Sequence, residues 1–542
     1  MGTPTGRDRK AGDLTTLECR RLELQAHIDA VKDTESRRKL GQFATPGGLA
    51  REIVENALLI QSAPHLTFLE PSLGTGAFYS ALLSGADAAE RHIDGAFGIE
   101  IDPEFSRCAQ ELWSARGLEV IQDDFTRLER DNIHANLLIS NPPYVRHHYI
   151  SKENKAYLAR RVFKETGLRL SGLSGLYCYF MLLAHKYLEP GAVSAWLVPS
   201  EFMDVNYGST LKDYLLNRVR LLRLHRYDPR DCQFSDALVS SCVVWFQNEA
   251  PAVNRCVRFS FGGTHQNPKM MEEVPVSALK TERKWTRFPH FCTANAISSD
   301  LLRPQLGDYF TIKRGLVTGD NSFFIMTRPQ IEAHQLEMSY FLPVLPSPRK
   351  LKVNEVFSDI DGFPKLENQY FLLNPDMHER EIAENHSKLW RYLKTGEKTT
   401  ALKYICRNRK IWYQQERREP TPFLCSYMGR GRDGNPLPFR FILNHSNAIV
   451  TNTYLMLYPK KELARLIAVS PQAAEQIWSS LNAITADDLQ AEGRVYGGGL
   501  RKIEPNELAR VRCDALAETL RKLGWRLEPR MKKKSRQLEF AF

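Results

Sequence analysis

The chain has 542 residues and is 43% hydrophobic, enough for two or three domains with cores of their own. Its 74 Lys and Arg outnumber its 63 Asp and Glu, a formal net charge of +11 that favours a polyanionic partner. Ten scattered cysteines without any Cys-x-x-Cys pair argue against a zinc site or disulfide framework, and they fit the reducing cytoplasm.

The polar start (Arg7, Asp8, Arg9, Lys10) is not a signal peptide, and the apolar run 176–183 meets Lys186 and Glu189 before it could span a bilayer. No membrane contact is expected. Residues 1–13 read as a loose tail, followed by a helix in which Leu17, Leu24, Ile28 and Val31 share a face. From 41 to about 250, short apolar strands alternate with helical stretches, which predicts an α/β, Rossmann-like domain with a mostly parallel sheet. Strands are predicted at 66–70, 94–100, 118–121, 136–140, 192–198, 221–227 and 238–246, and helices at 47–60, 76–84, 103–115, 176–188 and 209–218. No helix-length segment separates the last two strands, so they are expected to pair antiparallel at the sheet edge. The domain plan is 1–40 (tail and helix), 41–265 (first domain), 266–300 (connector), 301–525 (a mixed α+β domain) and 526–542 (a basic tail).

Three acidic positions mark the ends of successive strands in the first domain. The first strand runs into Glu70-Pro71-Ser72-Leu73-Gly74-Thr75-Gly76, where glycines let the backbone approach a ligand and the following helix offers unpaired N–H groups. The second ends at Glu100-Ile101, where a carboxylate can accept from both hydroxyls of a ribose. The third leads to Asp123-Asp124-Phe125, suited to an adenine ring and its amine. No phosphate-binding Lys follows the glycines, and Glu70 would repel a pyrophosphate. A sulfonium cofactor, positive at its reacting centre, tolerates carboxylates there.

After the fourth strand comes Asn141-Pro142-Pro143-Tyr144. The prolines fix the backbone, and the Asn141 side-chain oxygen with the Pro142 carbonyl forms a pair of acceptors for both hydrogens of a planar amino group. Such acceptors favour the pyramidal amine, whose lone pair is no longer delocalised. Tyr144 offers a flat face to the group that carries the amine. The stretch 145–172, with Arg146, His147, His148, Lys152, Lys155, Arg160 and Arg161, reads as a mobile polar segment that closes along a nucleic-acid backbone. Its histidines have no acidic or Cys partners at ligand spacing, so no metal is expected.

The order of these motifs, with Gly41-Gln42-Phe43-Ala44-Thr45-Pro46 upstream, resembles the gamma-class DNA N6-adenine methyltransferases, the TaqI-like and Eco57I-like group. The resemblance covers about 38–250 strongly and 300–510 more weakly. It implies S-adenosyl-L-methionine as cofactor and methyl transfer to N6 of an adenine flipped out of double-stranded DNA. It places Thr45 and Glu70 at the cofactor's methionine end, Glu100 at the ribose and Asp124, or Asp123 beside it, at the adenine amine. Phe180 would stack on the cofactor ring, and Phe234 would sandwich the extruded base against Tyr144. Leu73 departs from the pattern, since a smaller residue is common there.

In the second domain, stretches containing Lys313 and Arg314, Arg409, and Arg494 with Arg501 and Lys502 combine cations with glycine turns or aromatics. They resemble recurring features of target-recognition domains in this group, and with Arg146 they are the candidate DNA contacts. A monomeric modification enzyme with a separately encoded endonuclease is the expected setting. The competing readings are an RNA or protein-glutamine methyltransferase using the same Asn-Pro-Pro-Tyr chemistry and a non-catalytic DNA-specificity subunit. The intact Asn141, Tyr144 and Glu100 argue against the latter.

Overall fold

The computed structural model describes residues 6–32, 37, 40–229, 231, 233, 240–251, 255–289, 303–430, 439–496 and 500–525. The described chain forms two compact units, one built from Met1–Ile297 and the other chiefly from Ser298–Val495 and Gly499–Phe542.

The first unit is a nine-stranded sheet with helices on both faces. Its strands are β1 (His65–Glu70), β2 (His92–Glu100), β3 (Leu118–Gln122), β4 (Ala135–Ser140), β5 (Leu188–Pro199), β6 (Arg220–Arg226), β7 (Ser241–Gln247), β8 (Cys256–Gly263) and β9 (Pro268–Pro275), in the spatial order β3-β2-β1-β4-β5-β7-β6-β8-β9. The first five run parallel, and β7 is antiparallel to both β5 and β6. Helices α1 (Gly6–Val31), α2 (Gly47–Ile60), α3 (Ala77–Ala88), α4 (Pro103–Trp113), α5 (Lys152–Thr166), α6 (Leu176–Leu183), α7 (Ser209–Asn217) and α8 (Val276–Thr281) complete it. One apolar cluster joins α2, α3 and α4 to one sheet face, and another joins α5, α6 and α7 to the opposite face. The strand order reverses between β1 and β4, so the carboxyl ends of these strands open on a crevice, the place where such sheets bind ligands.

Four expectations change. The antiparallel pair is present, but it is not an edge: β8 pairs parallel with β6, and β9 extends the sheet beyond it. Residues 268–275, read as connector, are therefore a strand, and their mostly exposed Lys, Met and Glu side chains conceal it because an edge strand buries little. The tail assigned to residues 1–13 is helical from Gly6. The segment read as mobile holds α5, capped by the Ser151 side chain and closed by Gly167 at φ +70°. Leu158 and Val162 bury its inner face, and Arg161 donates to the carbonyls of Thr126 and Leu128, so its cations line a docked helix.

The second unit centres on a five-stranded sheet, in the order Phe310–Arg314, Tyr454–Pro459, Phe423–Ser426, Phe441–Asn444 and Glu355–Val356. Helices Lys461–Val469, Pro471–Asn482 and Asp514–Lys522 contribute to a core with that sheet, and a three-stranded sheet around Tyr370–Leu373 carries another. No helix among the described residues is long and apolar enough to cross a membrane.

Candidate active site

The loop between β1 and α3 is shaped by its glycines. Gly74 has φ +55° with open space where a side chain would project, and Gly76 has φ +83° against the Trp113 ring. The Trp113 indole N–H donates to the Thr75 carbonyl at 2.9 Å, which fixes the turn from outside. Leu73 lies over Gly98, where a β-carbon would sit 2.7 Å from its Cδ2, so the large residue is accommodated by the absent side chain on β2.

Glu70, before Pro71, is only 2% exposed, and its Oε2 has no hydrogen-bond partner. Burial pushes its carboxyl well above the usual range, Arg21 opposes that shift, Glu100 adds to it, and the Tyr79 amide lowers it. A carboxylate oxygen buried without a donor favours a ligand that brings one. Glu100 accepts from the Gly74 amide at 2.8 Å and the Asp102 amide at 2.9 Å. Each oxygen has a further lone pair, as a diol contact would need. Ile101 beside it is 63% exposed.

At the end of β3, Asp123 is exposed and its carboxylate accepts the Asp124 amide at 2.7 Å. Asp124 is half-buried; its Oδ1 accepts from the Thr126 amide and hydroxyl, and its Oδ2 faces Arg127 at 3.4 Å. Phe125 and Phe180 are buried against each other, with ring centroids 5.2 Å apart and planes tilted by 36°. The two aromatics expected near an adenine ring thus share one wall.

The Asn-Pro-Pro-Tyr segment leaves β4 beside the glycine loop. The Ser72 hydroxyl bridges the two, 2.9 Å from both the Ser140 hydroxyl and the Asn141 carbonyl. The Asn141 amide nitrogen donates to the Phe43 carbonyl at 3.0 Å and to the Thr45 hydroxyl at 3.1 Å. Those bonds fix which way the side chain faces, and its buried Oδ1 has no hydrogen-bond partner. Pro142 is buried and Pro143 half-buried. The Tyr144 amide donates to the Gly41 carbonyl at 3.1 Å, its hydroxyl to the Leu197 carbonyl at 3.1 Å, and its ring lies 5.8 Å from Phe43. Tyr144 is buried, so the flat face expected of it from sequence is largely covered in this structure. Phe234 lies outside the described residues.

Several residues in this assembly carried no role in the sequence reading. Ser72 is one, since a serine inside a glycine loop gives no signal of its partner. Arg21, Glu18 and Gln25 of α1 are others: Arg21 donates to Thr75 Oγ1 at 3.0 Å, and Thr75 donates to Gln25 at 2.9 Å. At the end of β2, Lys32 pairs with Asp102, which also accepts from Gln42 at 3.3 Å. The signal available was Glu18, Arg21, Gln25, Ile28 and Lys32 at three- and four-residue steps, which puts them on one helix face.

In the second unit the candidate cations fall at several places, with Arg314 and Lys502 meeting at Tyr427 and Arg409 reaching the loop that follows Phe310–Arg314. The Arg314 guanidinium lies 4.0 Å from the Tyr427 ring centroid and Lys502 Nζ 5.2 Å from it, and the Tyr427 hydroxyl donates to Glu504 at 2.6 Å. Lys313 is exposed, near Tyr458. Arg409 donates to the Val317 carbonyl at 2.7 Å, and burial pushes its guanidinium down. Although burial alone would raise Asp320, Lys403, Ser322 and Thr400 together hold it down to about 2. Arg494 bonds Glu507 at 2.7 Å, Arg501 lies beside Gln490, and Arg146 of the first unit is exposed. No group of three His, Cys, Asp or Glu among the described residues is arranged to hold a metal ion.

Comparison with known proteins covers both units. Residues 91–232 match the family model of the Eco57I restriction-modification methylase, and residues 284–540 match that of the C-terminal domain of the type II methyltransferase M.Eco57I. The type II methyltransferase M.XamI of Xanthomonas campestris pv. amaranthicola is 28% identical, with 88% of this chain and 86% of that protein covered. M.AccI of Acinetobacter calcoaceticus is 25% identical, with 88% and 85% covered. Among solved structures, the type IIL restriction-modification enzyme MmeI, determined in complex with DNA, is 13% identical and superposes with a TM-score of 0.54. The superposition covers 91% of this chain and 76% of MmeI, and the likeness is one of fold.

Proposed function

We propose, on the premise that this chain belongs to the Eco57I-like family of type II methyltransferases, that it methylates N6 of adenine in a specific double-stranded DNA sequence. The observation that carries the proposal is Asn141 Oδ1: a buried acceptor, held in orientation by the two bonds its own amide makes, with no hydrogen-bond partner. An exocyclic amine satisfies such an oxygen, and burial makes that hydrogen bond stronger than it would be in water. The Pro142 carbonyl is the second acceptor, so the two together hold both amine hydrogens and favour the pyramidal nitrogen. Because the acceptors are preorganised, little is spent on reorienting them when the base arrives.

The residues around the glycine loop fit S-adenosylmethionine. The unpartnered oxygen of Glu70 suits an ammonium group, the second lone pairs on Glu100 suit ribose hydroxyls, and Asp124 with Phe125 and Phe180 suits an adenine. Thr45 connects that site to Asn141, since it receives one of the Asn141 amide bonds. When bound, the cofactor supplies a methyl group on a positively charged sulfur. Glu70 and Glu100 are both buried, which raises both carboxyls, and a cationic ligand would favour their ionised forms; no phosphate-binding cation lies in the loop sequence.

An adenine stacked in a duplex cannot reach the buried Oδ1 of Asn141, so the base must leave the helix, at a cost on the order of a few kcal/mol. Tyr144 and Phe234 are the proposed stacking pair. Since Tyr144 rests against Phe43, base entry requires either the face turned away from Phe43 or a shift of that ring. The second unit is the proposed reader of the target sequence, and a restriction-modification system, after the matched Eco57I restriction-modification methylase family, is the proposed setting.

The test is digestion of duplex DNA after incubation with enzyme and methyl-labelled cofactor, followed by nucleoside analysis. Label is expected in N6-methyladenine; label in N4-methylcytosine or in protein alone would refute the assignment. Asn141→Ala should still bind cofactor and DNA while turnover falls by roughly 100-fold or more, the scale for removal of a transition-state hydrogen-bond partner. Unchanged turnover would mean the acceptor lies elsewhere.

A further inference from the structure

A buried arginine on α1 has no part in the scheme above. Arg21 is only 1% exposed. Its Nε and one terminal nitrogen donate to the two oxygens of Glu18 at 2.8 and 2.7 Å, and its other terminal nitrogen donates to Thr75 Oγ1 at 3.0 Å. Glu18 also accepts from the Ser80 hydroxyl of α3 at 2.6 Å, and Thr75 donates to Gln25 of α1 at 2.9 Å. These bonds form one network through α1, the glycine loop and the first turns of α3. Polar networks with every bond made rigidify what they join, whereas a guanidinium buried without a partner would be strongly unfavourable.

The network sits behind the part of the loop that the proposed ligand would meet. Thr75 lies between the two glycines, and Gly74, beside it, is the residue whose amide binds Glu100. The charged groups facing Glu70 are Arg21 from α1 and Glu100 from β2, with the Tyr79 amide of α3 as a further donor. Glu18 in turn faces Arg51 of α2. Arg21 is therefore the cation that offsets Glu70 against both its burial and the neighbouring carboxylate.

We propose that Arg21 is a positioning residue of the cofactor site, holding the Ser72–Gly76 loop through Thr75 and balancing the charge of Glu70. This makes α1, outside the motifs of the methyltransferase core, part of the cofactor site. The proposal rests on the reading that this loop binds S-adenosylmethionine.

The experiment is calorimetric titration of the full chain with S-adenosylhomocysteine, from pH 5 to pH 8, for the parent and for Arg21→Gln, Arg21→Lys and Thr75→Val. Failure of the parent to bind would refute the cofactor assignment itself. Given parental binding, Arg21→Gln is expected to weaken it about tenfold, and the pH at which affinity falls toward the acid side should move upward. That direction follows because Glu70 protonates more readily once its cation is gone. Arg21→Lys keeps the charge and should restore the inflection. Thr75→Val removes the hydroxyl that accepts from Arg21 and donates to Gln25 while leaving the Arg21 charge in place, and it should weaken binding several-fold without moving the inflection. Should Arg21→Gln fail to fold, Thr75→Val decides the loop claim, and Arg21→Lys decides the charge claim by keeping the parental inflection. The proposal is overturned if folded Arg21→Gln and Thr75→Val bind within twofold of the parent, or if Arg21→Gln loses affinity uniformly across the pH range.

Discussion

Gly41 and Tyr144 meet backbone to backbone. The Tyr144 amide donates to the Gly41 carbonyl at 3.1 Å, and a β-carbon on Gly41 would lie 2.7 Å from the Tyr144 carbonyl carbon and from the Val145 nitrogen. With φ at +66°, Gly41 also has a backbone conformation that L side chains rarely adopt. The upstream segment and the Asn-Pro-Pro-Tyr segment are thus fastened by a contact that leaves no volume for a side chain.

Gly41→Ala should consequently injure catalysis more than a surface glycine would. Strain and overpacking together cost roughly 1–3 kcal/mol, and the atoms that must give belong to the segment that orients Asn141. Turnover is expected to drop at least tenfold with a lower melting temperature, measured by methyl incorporation and calorimetry. A variant with parental turnover would show that the two segments are not mechanically connected.

The Leu73–Gly98 pair predicts coupled stabilities. A β-carbon on Gly98 would press on both Leu73 methyls, so Gly98→Ala alone should destabilise the first unit by about 1–3 kcal/mol. Leu73→Ala alone should leave a cavity and cost about 2–5 kcal/mol. The double variant refills that space from the other side, and its loss should be smaller than the sum by on the order of 1 kcal/mol. Urea unfolding of all four proteins completes the cycle; strict additivity would contradict the packing described.

His225 supplies a pH dependence of stability. It is fully buried on β6, its Nδ1 2.9 Å from the Ser260 hydroxyl, and burial holds its imidazole down to about 4. Glu52 opposes the shift, Arg223 and His265 strengthen it, and the Gly263 backbone works against it. The unfolded chain takes up this proton near the ordinary value of about 6.5. The stabilisation is therefore complete above that pH and is lost as the pH falls toward 4, in total on the order of 3 kcal/mol. His225→Gln should flatten the decline in melting temperature between pH 6.5 and 4.5. An equally steep decline in the variant would assign the titration to another group.

The parts legible in the sequence were those whose signal is local. Glu70 through Gly76 and Asn141 through Tyr144 announce themselves because each motif is a short contiguous run at a strand end, and the alternation of strands and helices implied the parallel sheet. What stayed hidden depended on partners far along the chain. Arg21 finds Thr75 54 residues away, and a polar helix face reads the same whether it meets water or another polar surface. The strand Pro268–Pro275 buries too little to show a period of two. The helix Lys152–Thr166 buries only Leu158 and Val162, so its charges suggested a loop. Tyr144 is a candidate stacking face from sequence, yet its burial against Phe43 is not legible there, because Phe43 approaches from a separate segment.

The loop after Phe310–Arg314 touches residues near 403–409 on one side and, through Arg314 and Tyr427, residues near 502–504 on the other. Exchanging one of these three stretches alone can leave its neighbours mismatched: Lys403 without the Asp320 carboxylate, or the Tyr427 ring and hydroxyl without Lys502 and Glu504. On the proposal that the second unit reads the target sequence, retargeting by transplantation should then succeed only when the three are moved as a set, and divergence between natural relatives should have proceeded by correlated exchange at these places.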